Sequence, residues 1–67
     1  MTIGDSIREH IEKNGTKKTF VAQKSGISDP VFSAIINNRR NVSVIEYYRI
    51  CKALDVPFEK FIEEAEG

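Results

Sequence analysis

Apolar residues recur along the chain at intervals of three or four, which is the spacing of one face of an α-helix. No stretch alternates apolar and polar residues for long enough to form a strand. The first helical series begins behind Thr2, a suitable N-cap, and stops at Asn14-Gly15, where a positive φ is tolerated. The pattern predicts an all-α chain whose first helix carries three apolar residues on one face: Ile3, Ile7 and Ile11.

Two short helices are predicted in the middle of the chain. The first runs from about Lys18 to Ser25 and stops at Gly26, a residue suited to the left-handed end of a helix. The second begins at Ser28 as N-cap, and Pro30 lies in its first turn, where the missing N–H costs nothing. Asp29 is the acidic residue of its first turn, and Phe32 and Ile35 form its buried stripe. The helix is predicted to end at Asn37-Asn38.

Two further helices are predicted in the C-terminal third. Ser43 and Glu46 form a capping box that opens the fourth helix, because each side chain can bond the backbone N–H of the other. The predicted inner face of that helix is Val44, Tyr47, Ile50, Cys51 and Leu54. Pro57 is predicted to open the fifth helix, whose wholly or partly inward residues are Phe58, Phe61, Ile62 and Ala65.

Composition limits the ways in which such a chain can be stabilised and indicates its cellular compartment. Its 67 residues suffice for one small core, and we read residues 1–67 as a single domain, since no linker or repeat interrupts them. One cysteine and one histidine provide neither a disulfide nor a metal site, so helix packing or self-association must supply the stability. The lone cysteine and an N-terminus without an apolar run predict a cytoplasmic protein with no membrane segment.

Charge is distributed unevenly along a chain whose ten basic and ten acidic residues cancel. Residues 13–40 carry six basic residues against the single acid Asp29, a net charge of +5, whereas residues 1–12 and 41–67 have net charges of −2 and −3. Such asymmetry favours a surface that binds a polyanion, although a solvated strip of charge would give the same pattern.

Two short helices joined by Ser25-Gly26-Ile27-Ser28 have the form of a helix-turn-helix. The run GTKKTFVAQKSGISDPVFSAIINNRRNVSVIEYYRICKALDVP resembles the lambda-repressor-like, Xre-type DNA-binding domain of the Cro and cI repressors, and the flanking helices extend the likeness over nearly the whole chain. The resemblance implies five helices, a recognition helix in the DNA major groove at about residues 28–36, and a homodimer on a two-fold operator. The implied function is a sequence-specific transcriptional regulator, in particular a repressor.

The resemblance also assigns roles to individual residues. It implies base-facing positions at Asp29, Pro30, Ser33 and Ala34. It implies phosphate-facing positions at Lys17, Lys18, Ser28, Asn37, Arg39, Arg40 and Asn41, and a dimer contact at Pro57 and Phe58. The base-facing set is unusual, because a carboxylate only accepts hydrogen bonds, for instance from cytosine N4, and Pro30 and Ala34 offer apolar contact to a thymine methyl group.

Some positions depart from the family pattern. Many relatives pair a buried Arg of helix one with a Glu at the end of the recognition helix, where this chain has Ile11 and Ile36. We expect these two side chains to meet in the core. His10 is expected to be a partly buried structural residue and Cys51 a small core residue.

An alternative function remains open from the sequence. The helix-turn-helix could serve as the scaffold of a protein-interaction module, with Phe20, Val31 and Tyr48 forming the partner surface. No Ser, His and acid set, pair of inward carboxylates or phosphate-binding glycine loop is present, so we expect no enzyme activity. We likewise expect no cofactor, metal or small-molecule ligand.

Overall fold

A computed structural model describes all 67 residues and contains five helices and no strand. The first helix, α1, spans Ile3–Lys13. Thr2 is its N-cap and accepts a hydrogen bond from the Asp5 N–H, while the Asp5 carboxylate accepts one from the Thr2 N–H, so the pair forms a capping box. The helix ends at Asn14, and Gly15 follows with a φ of 66°. The predicted first helix is therefore confirmed, with a stronger cap than Thr2 alone.

The two middle helices lie where the sequence predicts them. Helix α2 spans Lys18–Ser25 and ends at Gly26, whose φ of 74° is the left-handed conformation expected of a C-terminal glycine. Helix α3 spans Asp29–Ile36 with Asn37 as its C-cap. Ser28 holds the N-cap position, but its side chain makes no capping hydrogen bond. The predicted side-chain cap is therefore wrong, and the Ser28 hydroxyl stays exposed to solvent.

In the C-terminal third, the predicted start of the fourth helix is confirmed, whereas the predicted place of Val44 and the predicted start of the fifth helix are wrong. Helix α4 spans Val44–Leu54 behind the predicted capping box of Ser43 and Glu46. Val44 is 75% exposed, because no neighbouring element covers the first residue of α4, so its predicted place on the inner face is wrong. Helix α5 spans Lys60–Glu66 and not from Pro57 onward. Pro57 instead begins a turn in which its carbonyl accepts a hydrogen bond from the Lys60 N–H, 3.1 Å away.

The five helices enclose one hydrophobic core. Helix α1 packs on α3 and α5, while α2 packs on α3 and α4. Ile11 and Ile36, which stand where the resemblance implies an ion pair, are both fully buried in this core. Its buried apolar members are Ile7, Ile11, Val21, Ala22, Ile27, Phe32, Ile35, Ile36, Tyr47, Ile50, Cys51, Ala53 and Phe61.

Aromatic rings join α5 to the rest of the core. Phe61 is fully buried, and the rings of His10 and Tyr47 meet it edge-on, with centroids 5.5 Å and 6.3 Å away. The Tyr47 hydroxyl donates to the Phe58 carbonyl, which ties the 57–59 turn to α4. Burial raises the pKa of Tyr47 to about 12 and also raises the pKa of the Cys51 thiol. Cys51 is thus a protonated core residue at neutral pH, as predicted.

None of the five helices combines the length and the apolar character that spanning a lipid bilayer requires.

Candidate nucleic-acid interface

Helices α2 and α3 are joined by the three residues 26–28 in a compact turn. The Gly26 N–H donates to the Gln23 carbonyl and the Ile27 N–H donates to the Ala22 carbonyl, so the last turn of α2 is closed. The Ile27 side chain is 8% exposed and enters the core between the helices. Ser25, the last residue of α2, is buried. Its hydroxyl donates a hydrogen bond to the Ala22 carbonyl, so no buried polar group is left without a partner there. The turn therefore holds α3 at a fixed angle to α2.

The outward side of α3 carries the four residues assigned to base edges. Asp29 and Pro30 are exposed at its N-terminal end, and Ser33 and Ala34 are half-buried one turn further on. The opposite side of the helix is anchored in the core by Phe32, Ile35 and Ile36. The structure thus brings the four predicted base-facing residues to one side of one short helix, with the most exposed pair at its tip.

The residues that follow α3, here called the exit segment, are residues 37–41, and all of them are exposed. The Asn37 side-chain amide donates to the Ser33 carbonyl at 2.9 Å and to the Ser33 hydroxyl at 3.3 Å. The Arg39 guanidinium lies 3.5 Å from the same hydroxyl. Ser33, assigned to the bases, is therefore in contact with two residues assigned to phosphates.

Arg40 differs from the other basic residues of the central segment because it is paired. Its Nη1 lies 2.8 Å from a carboxylate oxygen of Glu46, the residue that also caps α4. This hydrogen bond is the largest cause that lowers the pKa of Glu46 to about 2, and it raises the pKa of Arg40. Glu46 would therefore compete with any phosphate for the Arg40 guanidinium.

The remaining cations of residues 13–40 are in no ion pair: Lys13, Lys17, Lys18, Lys24 and Arg39. Lys17 is the N-cap of α2 and Lys18 is its first residue, so two exposed ammonium groups flank the start of that helix. Lys24 lies over the ring of Phe20, with its Nζ 5.6 Å from the ring centroid. Unpaired cations therefore lie on both sides of α3 in the sequence, at the start of α2 and after the exit of α3.

Sequence reasoning missed the residues that hold the exit of α3. Asn38 has a φ of 62° and hydrogen-bonds with Thr2 and Asp5, while Arg8 donates to the Ile36 carbonyl. The one signal that pointed to this region was Gly4 inside a helix, a position where glycine costs stability unless space requires it. No group of three or more His, Cys, Asp or Glu side chains is placed to hold a metal ion.

Comparison with known proteins agrees with this geometry. The helix-turn-helix family profile of the lambda-repressor-like, Xre type matches residues 7–61. No curated protein matches.

Two solved structures have the same fold. The restriction-modification controller protein C.AhdI from Aeromonas hydrophila is 24% identical, with a TM-score of 0.83 over 88% of this chain and 89% of that one. A point mutant of the restriction-modification controller protein C.Esp1396I is 25% identical, with a TM-score of 0.86 over 96% of this chain and 83% of that one. The chain belongs to the Xre-type, lambda-repressor-like helix-turn-helix family and is a DNA-binding transcriptional regulator.

Proposed function

We propose that the chain, acting as a single helix-turn-helix domain over residues 1–67, is a sequence-specific repressor that inserts α3 into the DNA major groove. The observation that carries this proposal is the exposed tip of α3, formed by Asp29 and Pro30, with unpaired cations at Lys18 and Arg39 to either side in the chain. A helix fits the width of the major groove, and flanking cations bind the phosphates that border it. The lone buried thiol of Cys51 suits a reducing cytoplasm.

Base contacts in this proposal come from Asp29, Pro30, Ser33 and Ala34. Asp29 accepts a hydrogen bond from a cytosine amino group, whereas Pro30 and Ala34 pack against thymine methyl groups. Ser33 either donates or accepts, and its hydroxyl is oriented by Asn37 and Arg39. The set lacks the bidentate Arg, Gln or Asn pairs that give the strongest discrimination, so each half-site has modest specificity.

Phosphate contacts are proposed to surround these base contacts. Lys17, Lys18 and Ser28 approach the backbone at the start of α2 and of α3, where the positive end of each helix dipole adds to the attraction. The exit segment supplies the second group: Asn37, Arg39, Arg40 and Asn41. We propose further that two copies associate around Pro57 and Phe58, both exposed, so that two α3 helices meet successive major grooves of a two-fold operator.

The decisive experiment is selection of binding sites from a random duplex library at physiological salt. The proposal expects a two-fold consensus whose half-sites are about 34 Å apart, one turn of DNA. The likeness to two restriction-modification controller proteins makes promoters of restriction-modification genes the first targets to test. A reporter carrying the selected site should lose expression when the protein is present. Failure to enrich any site would contradict sequence-specific binding.

A second candidate function is a protein-interaction module built on the same scaffold. It is favoured by Phe20 and Tyr48, each 52% exposed, whereas Val31 is half-buried and packs on the core. Binding that weakens steeply with added salt supports the DNA proposal, because phosphate contacts release counterions. Salt-insensitive binding to a protein would support the second function instead.

A further inference from the structure

The first turn of α1 lies directly against the last turn of α3. A Cβ atom added to Gly4 would stand 2.4 Å from the Ile35 carbonyl oxygen and 2.9 Å from the Asn38 Oδ1. Neither distance is tolerable, and the nearer atom belongs to the backbone of α3, which has no flexible end to move aside. Gly4 therefore permits an approach of two helix backbones that no other residue would allow.

Both ends of the Asn38 side chain are bound by α1 and its cap. Its Nδ2 donates to the Asp5 Oδ1 at 2.8 Å, and its Oδ1 accepts from the Thr2 hydroxyl at 2.6 Å. Asn38 also adopts a φ of 62°, in the left-handed region that non-glycine residues rarely occupy. The side-chain bonds thus hold the residue at which the chain turns away from α3 into Arg39, Arg40 and Asn41.

Arg8 completes the connection from one turn further along α1. Its Nη1 donates to the Ile36 carbonyl at 2.5 Å, and its Nη2 donates to the Asp5 Oδ1 at 2.9 Å. The Ile36 carbonyl belongs to the last turn of α3, where carbonyl groups lack partners within the helix. The hydrogen bond from Asn38 is the largest cause that lowers the pKa of Asp5 to about 2, so the carboxylate stays ionised across the physiological range.

We propose that this exit clamp, composed of Thr2, Gly4, Asp5, Arg8 and Asn38, positions α3 and the exit segment for DNA, with Asp5 as its central positioning residue. The proposal rests on the proposed function. Asp5 joins the clamp because one carboxylate oxygen accepts from both Asn38 and Arg8, while the other accepts from the Thr2 N–H. Residues of α1 then influence DNA affinity without touching DNA.

Positioning and simple electrostatics predict opposite effects for Asp5→Asn. The substitution removes one negative charge from a protein that binds a polyanion, so electrostatics alone would tighten binding. In the clamp, however, an asparagine at position 5 keeps only one acceptor oxygen, so its NH2 group would face either the Thr2 N–H or the donors of Asn38 and Arg8. Arg8 would also lose the charge of its partner. We therefore expect Asp5→Asn to weaken DNA binding about tenfold, within the usual range of coupling between directly bonded residues.

A matched control and an exchange of partners separate positioning from general damage. Glu9→Gln makes the same change of charge on α1 at an exposed residue that forms no ion pair, so binding should stay constant or tighten slightly. Asn38→Asp should weaken binding on its own, since two carboxylates would then meet. The double variant Asp5→Asn with Asn38→Asp restores the original net charge and a donor opposite an acceptor between positions 5 and 38, although not the bond from Arg8. Its affinity should therefore recover in part and exceed that of either single variant.

Affinity is measured by fluorescence anisotropy on one selected duplex, at a temperature where circular dichroism shows every variant to be folded. Asn38→Gly serves if Asp5→Asn unfolds, because glycine keeps the positive φ and removes only the side-chain bonds. Its binding should weaken about as much. Wild-type affinity in both Asp5→Asn and Asn38→Gly, or a double variant no better than its weaker parent, would overturn the clamp alone. A wild-type chain that binds no DNA would overturn the proposed function with it.

Discussion

At the scale of single residues, two fully buried isoleucines stand at the positions where the family resemblance implies a buried ion pair. Ile11 and Ile36 are both 0% exposed. Two apolar side chains need no desolvation of charge, so the replacement of a buried ion pair by such a pair is often neutral or stabilising. The core therefore depends on the volume of each member, and a reduction of that volume should be felt directly.

Ile36→Ala should lower the free energy of unfolding by about 2 to 4 kcal/mol, because it removes buried methylene groups and leaves a cavity. Urea denaturation followed by circular dichroism measures the change. Ile45→Ala is the matched control, since Ile45 is 62% exposed, and it should stay within about 0.5 kcal/mol of wild type. Equal destabilisation in the two variants would contradict the assignment of Ile36 to the core.

His10 makes the stability depend on pH. Burial is the largest cause that lowers its pKa below 6.5; the positive charges of Lys60 and Lys13 also lower it, and Glu64 opposes them. The folded state therefore favours the neutral ring, and the unfolded chain takes up a proton first as pH falls. Stability from this residue is present above pH 6.5 and is lost as pH falls through the lower pKa of the folded state.

The difference in stability between wild type and His10→Gln should consequently shrink below about pH 6.5. An NMR titration of the His10 ring reads the folded pKa itself. A ring that titrates above 6.5, or a difference that grows on acidification, would show that burial does not hold the His10 ring in its neutral form.

At the scale of elements, the exit segment contains one arginine without an ion-pair partner and one arginine in an ion pair. Arg39 makes only a long contact with the Ser33 hydroxyl, whereas Arg40 is paired with Glu46 at 2.8 Å. Both arginines are exposed, so either can reach a phosphate. Only Arg40 would give up an existing partner on binding a phosphate, so its net contribution to affinity should be the smaller of the two.

Lys18, Arg39 and Arg40 are each proposed to bind a phosphate, and the salt dependence of DNA binding tests all three. Each change to Ala should weaken binding to every DNA sequence alike and reduce the slope of log K against log salt by about 1, because one fewer phosphate is neutralised. Arg40→Ala should weaken affinity the least. Lys52→Ala, on the last turns of α4, should leave the slope unchanged. An unaltered slope in the triple variant would mean that the basic segment does not touch DNA.

The elements also show where sequence reasoning succeeds and where it stops. Helices α1 to α4 were predicted closely because their ends carry local signals, such as the Ser43–Glu46 capping box and the positive φ of Gly26. Helix α5 was placed too early because Pro57 also opens turns, and the true N-cap, Glu59, has an αR backbone and no capping bond. A local signal fixes the type of an element better than its first residue.

The candidate site likewise has parts that the sequence predicts and parts that it does not. The exposure of Asp29 and Pro30 follows from the period of α3 and could be predicted. The bonds of Asn38 to Thr2 and Asp5, and of Arg8 to the Ile36 carbonyl, could not be predicted, because each joins residues 28 to 36 positions apart. Such contacts depend on how α1 is aligned against α3, and a single sequence carries no direct record of that alignment.

At the scale of the whole molecule, Phe58 is the residue through which association can be tested. It is 42% exposed, and its ring meets Tyr47 edge-on with centroids 4.9 Å apart. Phe58→Asp should keep affinity for a single half-site and lose the gain on a full two-fold site, because avidity requires both copies to be joined. Native mass measurement and binding to one and two half-sites give the two readings.

Tyr48→Asp is the control for this experiment, since Tyr48 is 52% exposed on α4, next to the groove between α2 and α4. It should retain the full-site gain. If Phe58→Asp retains it as well, the dimer forms elsewhere or not at all. If Tyr48→Asp alone loses it, association takes place on the side of α2 and α4.

The uneven distribution of charge has a consequence for how the molecule meets DNA. Helix α5, which carries three of the acids, packs on α1, whereas the +5 segment begins at Lys13 and runs through α2 and α3 to Arg40. The molecule measures 28 by 23 by 20 Å, and at 0.1 M salt a charge is screened over about 10 Å. A duplex beside α2 and α3 would therefore be screened from most of the acids of α5, and the neutral protein would act toward it as a cation. The electric field of the DNA would orient a diffusing copy before contact, so that α2 and α3 face the duplex. A copy that approaches with α5 first would be repelled.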